Sequence, residues 1–293
     1  MKKNNKSILI LVTLIFILIS FLINVDLIIT NIINYTNSFF NKLFPVSFIT
    51  YLIVYMLIEY GLIQFMNHYL HINSCGLFLF ILSFISGFPS GSKYTKLLFD
   101  KDIIDNDYAN SLLCFTHFPN ILFVLGTIKE IINNSTYTYY ILFSIVVSNF
   151  IILLFTKKRS ININFRINNN SFSNILGNGI IYSIKTIILI YGTSLFFYLI
   201  SSIIFQGFTD NLYLYVFLSG IFDLTNGVIN CGLINNIFIK CLFILAFLSL
   251  GSISIHMQVN ETIGNDLDYL YFFKGRIIGT ILSIIIFCLL FFI

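Results

Sequence analysis

An all-α, polytopic membrane fold made of two inverted repeats, each with a re-entrant hairpin and a broken helix, is predicted by three observations. Apolar residues make up 58% of the chain and charged residues only 10%, with a mean hydropathy of +0.93, far from the soluble average. Most of the apolar sequence falls into blocks long enough to cross about 30 Å of hydrocarbon. Two apolar runs are instead cut at about half that length, one by glycine and proline and the other by polar residues. The second cut follows the first about 136 positions later.

The composition also excludes some functions. Trp is absent while Phe (34) and Tyr (17) abound, so an interfacial aromatic belt is built of Tyr, helped by Phe. The net charge of +4 is a matter of topology, because the basic residues lie mainly between spans, and nothing supports nucleic-acid binding. Cys75, Cys114, Cys231, Cys241 and Cys288 are scattered, with no C-x-x-C and no Cys paired with His at ligand spacing, so they read as apolar packers and argue for neither a metal nor a cofactor. No G-x-S-x-G, H-E-x-x-H or phosphate loop occurs, which argues against an enzyme.

Along the chain, Lys2, Lys3 and Lys6 precede an apolar run from Ile8 to Val25. No A-x-A-like cleavage site follows, so it reads as a retained first span with a cytoplasmic N-terminus. From Leu27 to Phe44 apolar positions alternate with Asn31, Asn34, Asn37, Ser38, Asn41 and Lys42, as in an amphipathic helix lying on the outer surface. Residues 1–44 thus form an N-terminal unit, 45–159 a first repeat, 160–175 an Asn- and Ser-rich cytoplasmic linker and 176–293 a second repeat.

The first repeat begins with a span from Val46 to Met66, interrupted by Glu59 and Gly61. Cys75 to Ile85 then reaches the sequence SGFPSG, where proline removes a backbone donor and glycine relaxes φ. About 11 residues at 1.5 Å rise cover about 16 Å, which suits a re-entrant hairpin better than a crossing. A helix from Ala109 to Ile128 is disturbed at Thr116–Asn120, and Tyr137 to Phe155 closes the repeat. In the second repeat Ile187–Phe205 leads, Leu212–Ile221 meets a break at Asp223, Thr225, Asn226 and Gly227, Ile237–Leu250 is disturbed at Gly251–Gln258, and Ile277–Ile293 closes. Gly227 follows Gly91 by 136 positions, His256 follows His117 by 139, and the leading and closing spans are 141 and 140 apart. That is the signature of a duplication.

With re-entrant hairpins each repeat crosses three times, an odd number, so the second must be inverted. The count from Lys2 places Lys93, Lys96, Lys101, the stretch Lys157 to Arg166, Lys185, Lys274 and Arg276 on the cytoplasmic side and the C-terminus outside, as the positive-inside rule asks. Lys42, Lys129 beside Glu130, and Lys240 are the exceptions.

Two hairpin tips meeting near the midplane would offer helix-end dipoles, free backbone groups and hydroxyls to a solute. The candidate contacts are Gly87, Pro89, Ser90 and Gly91 in the first tip, and Asp223, Thr225, Asn226 and Gly227 in the second. The disturbed helices add Thr116, His117 and Asn120, with His256 and Gln258. A lone His is more often a packing residue than a proton relay, and the breaks could equally be kinks closed by neighbouring helices. Asp223 is the acid set deepest in apolar sequence, and an intramembrane carboxylate is a functional candidate by default. Glu59 could pair with Lys93 or Lys96, and Glu261, Asp266 and Asp268 read as solvated loop charges.

The block SGFPSGSKYTKLLFDKDIIDNDYANSLLCFTHFPNILFVLG (Ser86 to Gly126) resembles the nucleoside-recognition or "Gate" domain, and most closely that of the sporulation integral membrane protein YlbJ family. FDLTNGVINCGL and LSLGSISIHMQV (Phe222–Leu233 and Leu248–Val259) look like that family's second half, so the likeness spans about residues 45 to 293. Ser252 and Ile253 stand where the family often has glycine and leucine. The resemblance implies a fold akin to concentrative nucleoside transporters and a role in forming the endospore cortex. The expected function is a transporter-like protein of the cell membrane that moves or senses a small polar solute. The alternatives are a non-transporting scaffold for sporulation machinery and a nucleoside symporter. The lipid bilayer, the solute and a second copy of the chain in a homo-oligomer are the expected partners.

Overall fold

The computed structural model describes residues 2–70, 75–156, 171–205 and 211–293, and every regular element among them is helical. α1 (Lys2–Ile23) and α2 (Val25–Ser38) meet at Asn24, where the chain bends by 93°. A π-helical turn, Phe39–Leu43, joins α2 to α3 (Phe44–Glu59), whose first turn carries Pro45, a place where the missing N–H is not needed. α4 (Leu62–Leu70) follows. α5 (Cys75–Ser86) and α6 (Ser90–Asp100) form the first hairpin. α7 (Asn106–Leu113) leads through extended residues to α8 (Ile121–Phe123), a π-helical stretch at Val124–Ile128 and α9 (Lys129–Ile132), and α10 (Ser135–Phe155) completes this half.

The second half starts with the 34-residue α11 (Phe172–Phe205). α12 (Leu212–Phe222) and α13 (Leu224–Asn230) form the second hairpin, followed by a 3-10 turn at Cys231–Leu233. α14 (Ile237–Leu250), α15 (Ile253–Ile263) and α16 (Tyr269–Phe291) end the chain. Asn and Asp set seven of the starts: Asp105, Asn120, Asn134, Asn211, Asp223, Asn236 and Asp268 each accept a backbone N–H of the first turn that follows, satisfying donors that have no partner inside the helix.

Four segments are long and apolar enough to cross a membrane: Ser135–Phe155, Phe172–Ile203, Ile237–Ile263 and Tyr269–Phe291. The bent pair α1–α2 would make a fifth. The chain therefore has the build of a multi-pass helical membrane protein. α16 displays the two faces this needs. Ile278, Ile281, Ile285 and Leu289 are exposed along one side, while Gly275, Gly279 and Ser283 are buried along the other.

Several boundaries differ from those expected. The Val46–Met66 span is two helices, α3 and α4, because Gly61 adopts φ +80° and turns the chain, a conformation glycine enters without steric cost. α11 reaches back to Phe172, into the expected linker, whose residues 160–170 lie outside those described. α16 begins at Tyr269 rather than Ile277, which puts Lys274 and Arg276 inside the helix. α2 does not simply lie along a surface, since Ile28 and Tyr35 are buried and the Tyr35 ring lies 5.1 Å from that of Tyr198 of α11, tilted against it.

Side-chain pairs define how the long helices run. Tyr137 at the start of α10 stacks on Phe291 at the end of α16, at 4.8 Å, while Asn149 near the end of α10 meets Arg276 near the start of α16, at 3.0 Å. These helices are antiparallel. So are α3 and α11, where Tyr55 contacts Tyr182 at 4.8 Å, while Phe39 and Phe40, just before α3, contact Tyr191 at 5.2 Å and 5.6 Å.

Charged groups gather at the end of the molecule where α3 and α10 finish. Lys101 pairs with Glu59 at 2.8 Å, and Lys96 pairs with both Asp100 and Asp266, the latter at 3.0 Å. Glu59 thus takes Lys101, not the Lys93 or Lys96 expected. The loop before α16 is bound rather than free: the Asn106 side chain donates to the Asp266 carbonyl at 2.7 Å, and the Asn110 side-chain oxygen accepts the Asp268 N–H at 2.7 Å. At the opposite end Lys240 reaches the Ile131 carbonyl at 3.5 Å.

Candidate functional site

The first break is the three residues Gly87, Phe88 and Pro89 between α5 and α6. Its N–H groups are already used: Gly87 donates to the Ser83 carbonyl at 2.9 Å, Phe88 to the Phe118 carbonyl at 2.7 Å, and Ser90 to the Gly87 carbonyl at 3.0 Å. Phe118 belongs to the extended stretch Thr116–Asn120 between α7 and α8, so two stretches of irregular backbone satisfy each other. This is the condition under which non-helical chain is tolerated at membrane depth. The two approach so closely that side chains are excluded. A Cβ on Gly87, where φ is +75°, would stand 2.6 Å from the Asn120 nitrogen, and one on Gly91 would overlap the Thr116 carbonyl. Tyr51 of α3 and Tyr94 of α6 brace the tip through the Phe88 carbonyl (3.3 Å) and the Ser86 hydroxyl (2.8 Å).

Arg276 ties this region to the second half. It is 1% exposed, and its guanidinium donates to the Cys114 carbonyl (2.6 Å), the Asn149 side-chain oxygen (3.0 Å), the Ser249 carbonyl (3.4 Å) and the His117 carbonyl (3.5 Å). Cys114 and Ser249 lie at the C-terminal ends of α7 and α14, where unpaired carbonyls give partial negative charge. One buried cation thus caps two helix ends, one from each half, and their carbonyls stand where a carboxylate partner would otherwise be.

His117 and His256 converge next to it. A Cβ on Gly251, which has φ +84°, would lie 3.6 Å from His256 Nε2 and 3.7 Å from His117 Cε1. The His117 ring stacks on Phe88 at 4.9 Å and meets the edge of Phe272 at 5.4 Å. His256 Nδ1 is bonded to the Tyr269 hydroxyl, and Nε2 lies 3.0 Å from the Leu250 carbonyl.

The second break is Asp223, in extended conformation between α12 and α13. Its side chain is buried, at 1% exposed, and accepts the Asn226 N–H at 3.0 Å and the Ser254 hydroxyl at 3.4 Å. The three ion pairs among the described residues join Lys96, Lys101, Glu59, Asp100 and Asp266, and none reaches Asp223. Gly227 serves packing: a Cβ there would collide with Gly220, so the two arms of the hairpin touch through their backbones.

A cavity of about 60 Å³ lies between the halves, with Ser86, Phe88 and Asn120 on one side, Asp223, Thr225, Ser254 and Gln258 on the other, and Tyr35 and Phe39 over it. Ser47 from α3 and Ser194 from α11 also line it. Two larger recesses of about 260 and 370 Å³ share Leu43 and Thr225 with it and carry Asn120, Glu130, Asn226 and Asn230. Of the residues expected at the site, Asn120, Asp223, Thr225 and Gln258 line the inner cavity and Asn226 an outer recess. Gly87, Pro89, Ser90, Gly91, Thr116, His117, Gly227 and His256 do not line these spaces. The first tip contributes Ser86 and Phe88, the residues flanking the glycine that was expected to bind.

No protein-family model matches the chain, and no curated protein or solved structure does.

Sequence reasoning missed Ser86, Phe88, Ser194, Ser254, Tyr35 and Phe39. Ser194 sits mid-helix in a long apolar span and is held by the Gln258 amide, which donates to Ser194 at 3.2 Å and to Thr193 at 2.9 Å. Neighbouring hydroxyls in a span that crosses hydrocarbon are a usable signal, because each needs a partner there. Arg276 was assigned to a cytoplasmic helix entrance, and its buried place depends on α16 starting eight residues earlier than expected.

Proposed function

We propose that this chain is a transporter-like membrane protein that moves or senses a small polar solute at the cavity between its two halves. The single observation that carries the reading is Asp223, a buried carboxylate at a helix break, facing a cavity to which both halves contribute. Intramembrane carboxylates and interrupted helices cluster where solutes and ions pass. The duplicated order of elements and the antiparallel courses of α3 against α11 and of α10 against α16 support two inverted repeats. The likeness of Ser86–Gly126 to the Gate domain of the YlbJ family adds the setting, formation of the endospore cortex, with the N-terminus cytoplasmic and the C-terminus outside.

The test is complementation in a sporulating host that lacks the protein. Asp223→Ala combined with Asn226→Ala is expected to abolish support of spore formation while the protein stays in the membrane at normal abundance. Full complementation by that variant would reject a binding role and favour a scaffold.

A further inference from the structure

The charged lining of these spaces is of one sign. Among the described residues that line the inner cavity, Asp223 is the one charged side chain, and the adjoining recesses add Glu130. No described Lys, Arg or His side chain lines any of the three spaces. Arg276, the buried cation of the core, is committed to four protein oxygens. An ionised carboxylate so deeply buried needs a countercharge, and this one has hydrogen-bond donors but, among the described residues, no ion-pair partner.

We infer that the inner cavity binds a monovalent cation, either an alkali-metal ion or the ammonium group of a solute. Three features select that class. A single carboxylate balances one positive charge, whereas sites for divalent ions gather several charged or carbonyl oxygens. The neighbouring groups, Ser254, Ser194 and Thr225, are hydroxyls suited to complete the shell of a hard cation or to accept from an ammonium. The volume of about 60 Å³ holds a small ion with its waters, where one water needs at least about 10–15 Å³, and is far below the roughly 300 Å³ at which pockets for larger ligands begin.

The inference rests on the cavity being the solute site, and the experiment separates the two ideas. Thermal unfolding of the purified full chain in detergent is followed at constant ionic strength while N-methylglucamine chloride is replaced by sodium, potassium or methylammonium chloride. Acetamide, a small neutral polar molecule, serves as the neutral probe. A saturable rise in Tm with at least one of the three cations is expected, and it should vanish in Asp223→Asn. A response to the alkali ions alone assigns a bound ion, and a response to methylammonium alone assigns a cationic solute. If Asp223→Asn does not fold, Ser254→Ala is the second variant, with affinity expected to fall about three- to tenfold. No cation-dependent shift, or an equal shift in these variants, overturns the inference. The solute site survives that failure if acetamide gives a saturable shift, and falls with it if acetamide gives none.

Discussion

Replacing Arg276 with methionine removes the group that holds the ends of α7 and α14 together. Two of its bonds are short, 2.6 Å to the Cys114 carbonyl and 3.0 Å to the Asn149 side chain, and hydrogen bonds to a charged donor are worth about 1.5–3 kcal/mol each. The pair gives about 3–6 kcal/mol. The membrane setting favours the lower end, because interhelical hydrogen bonds there average about 0.6 kcal/mol and reach about 1.7. The two longer bonds, at 3.4 and 3.5 Å, add little. At about 2–4 °C per kcal/mol, 3 kcal/mol lowers the midpoint by about 6–12 °C. Unfolding of the purified variant in detergent measures this, with Arg276→Lys as the control that keeps the charge. A lysine ammonium is a point donor on a single stem and cannot span both helix ends as the guanidinium fork does, so an intermediate loss is expected. A midpoint for Arg276→Met within about 2 °C of the parent would refute the idea that this residue braces the two halves.

Two further outcomes follow from packing and from topology. Gly91→Ala should cost about 1–3 kcal/mol or prevent folding, since its Cβ would overlap the Thr116 carbonyl. Gly192→Ala, whose Cβ meets nothing within 4 Å, should be neutral or slightly stabilising, and equal melting points for the two would contradict the close approach at the first tip. Single cysteines placed at Lys101 and Asp266 should react with an impermeant thiol reagent from the same side of the membrane, and one placed at Lys129 from the other. With the basic residues inside, the first pair faces the cytoplasm, and labelling of all three from one side would break the inverted-repeat topology.

The breaks were legible in the sequence because their causes are local. Gly87 and Pro89 cannot continue a helix, Asp223 caps the one that follows it, and Thr116–Asn120 includes Pro119 and the cap Asn120. What the sequence assigned to these residues was less secure. The glycines at the first tip read as open backbone for a solute, yet their missing side chains make room for Thr116 and Asn120. His117 and His256 do come together, but around Gly251 and beneath Phe88 rather than in the cavity.

By itself the sequence determined that the described chain is helical, that it has segments long and apolar enough to cross a membrane, and where its two hairpins break. Each of those depends on run length, on backbone chemistry or on composition, all readable residue by residue. Only the tertiary structure decided which polar groups share a cavity, that Arg276 is a core residue, and that Glu59 belongs to Lys101. The reason lies in the solvent. In water, the contrast between a polar outside and an apolar inside stamps a helix with the face it buries, whereas helices in lipid are apolar on both faces. α16 shows the result: Ile278 and Ile281 face outward and Gly275 and Gly279 face inward, and only Arg276 and Ser283 mark the buried side by polarity.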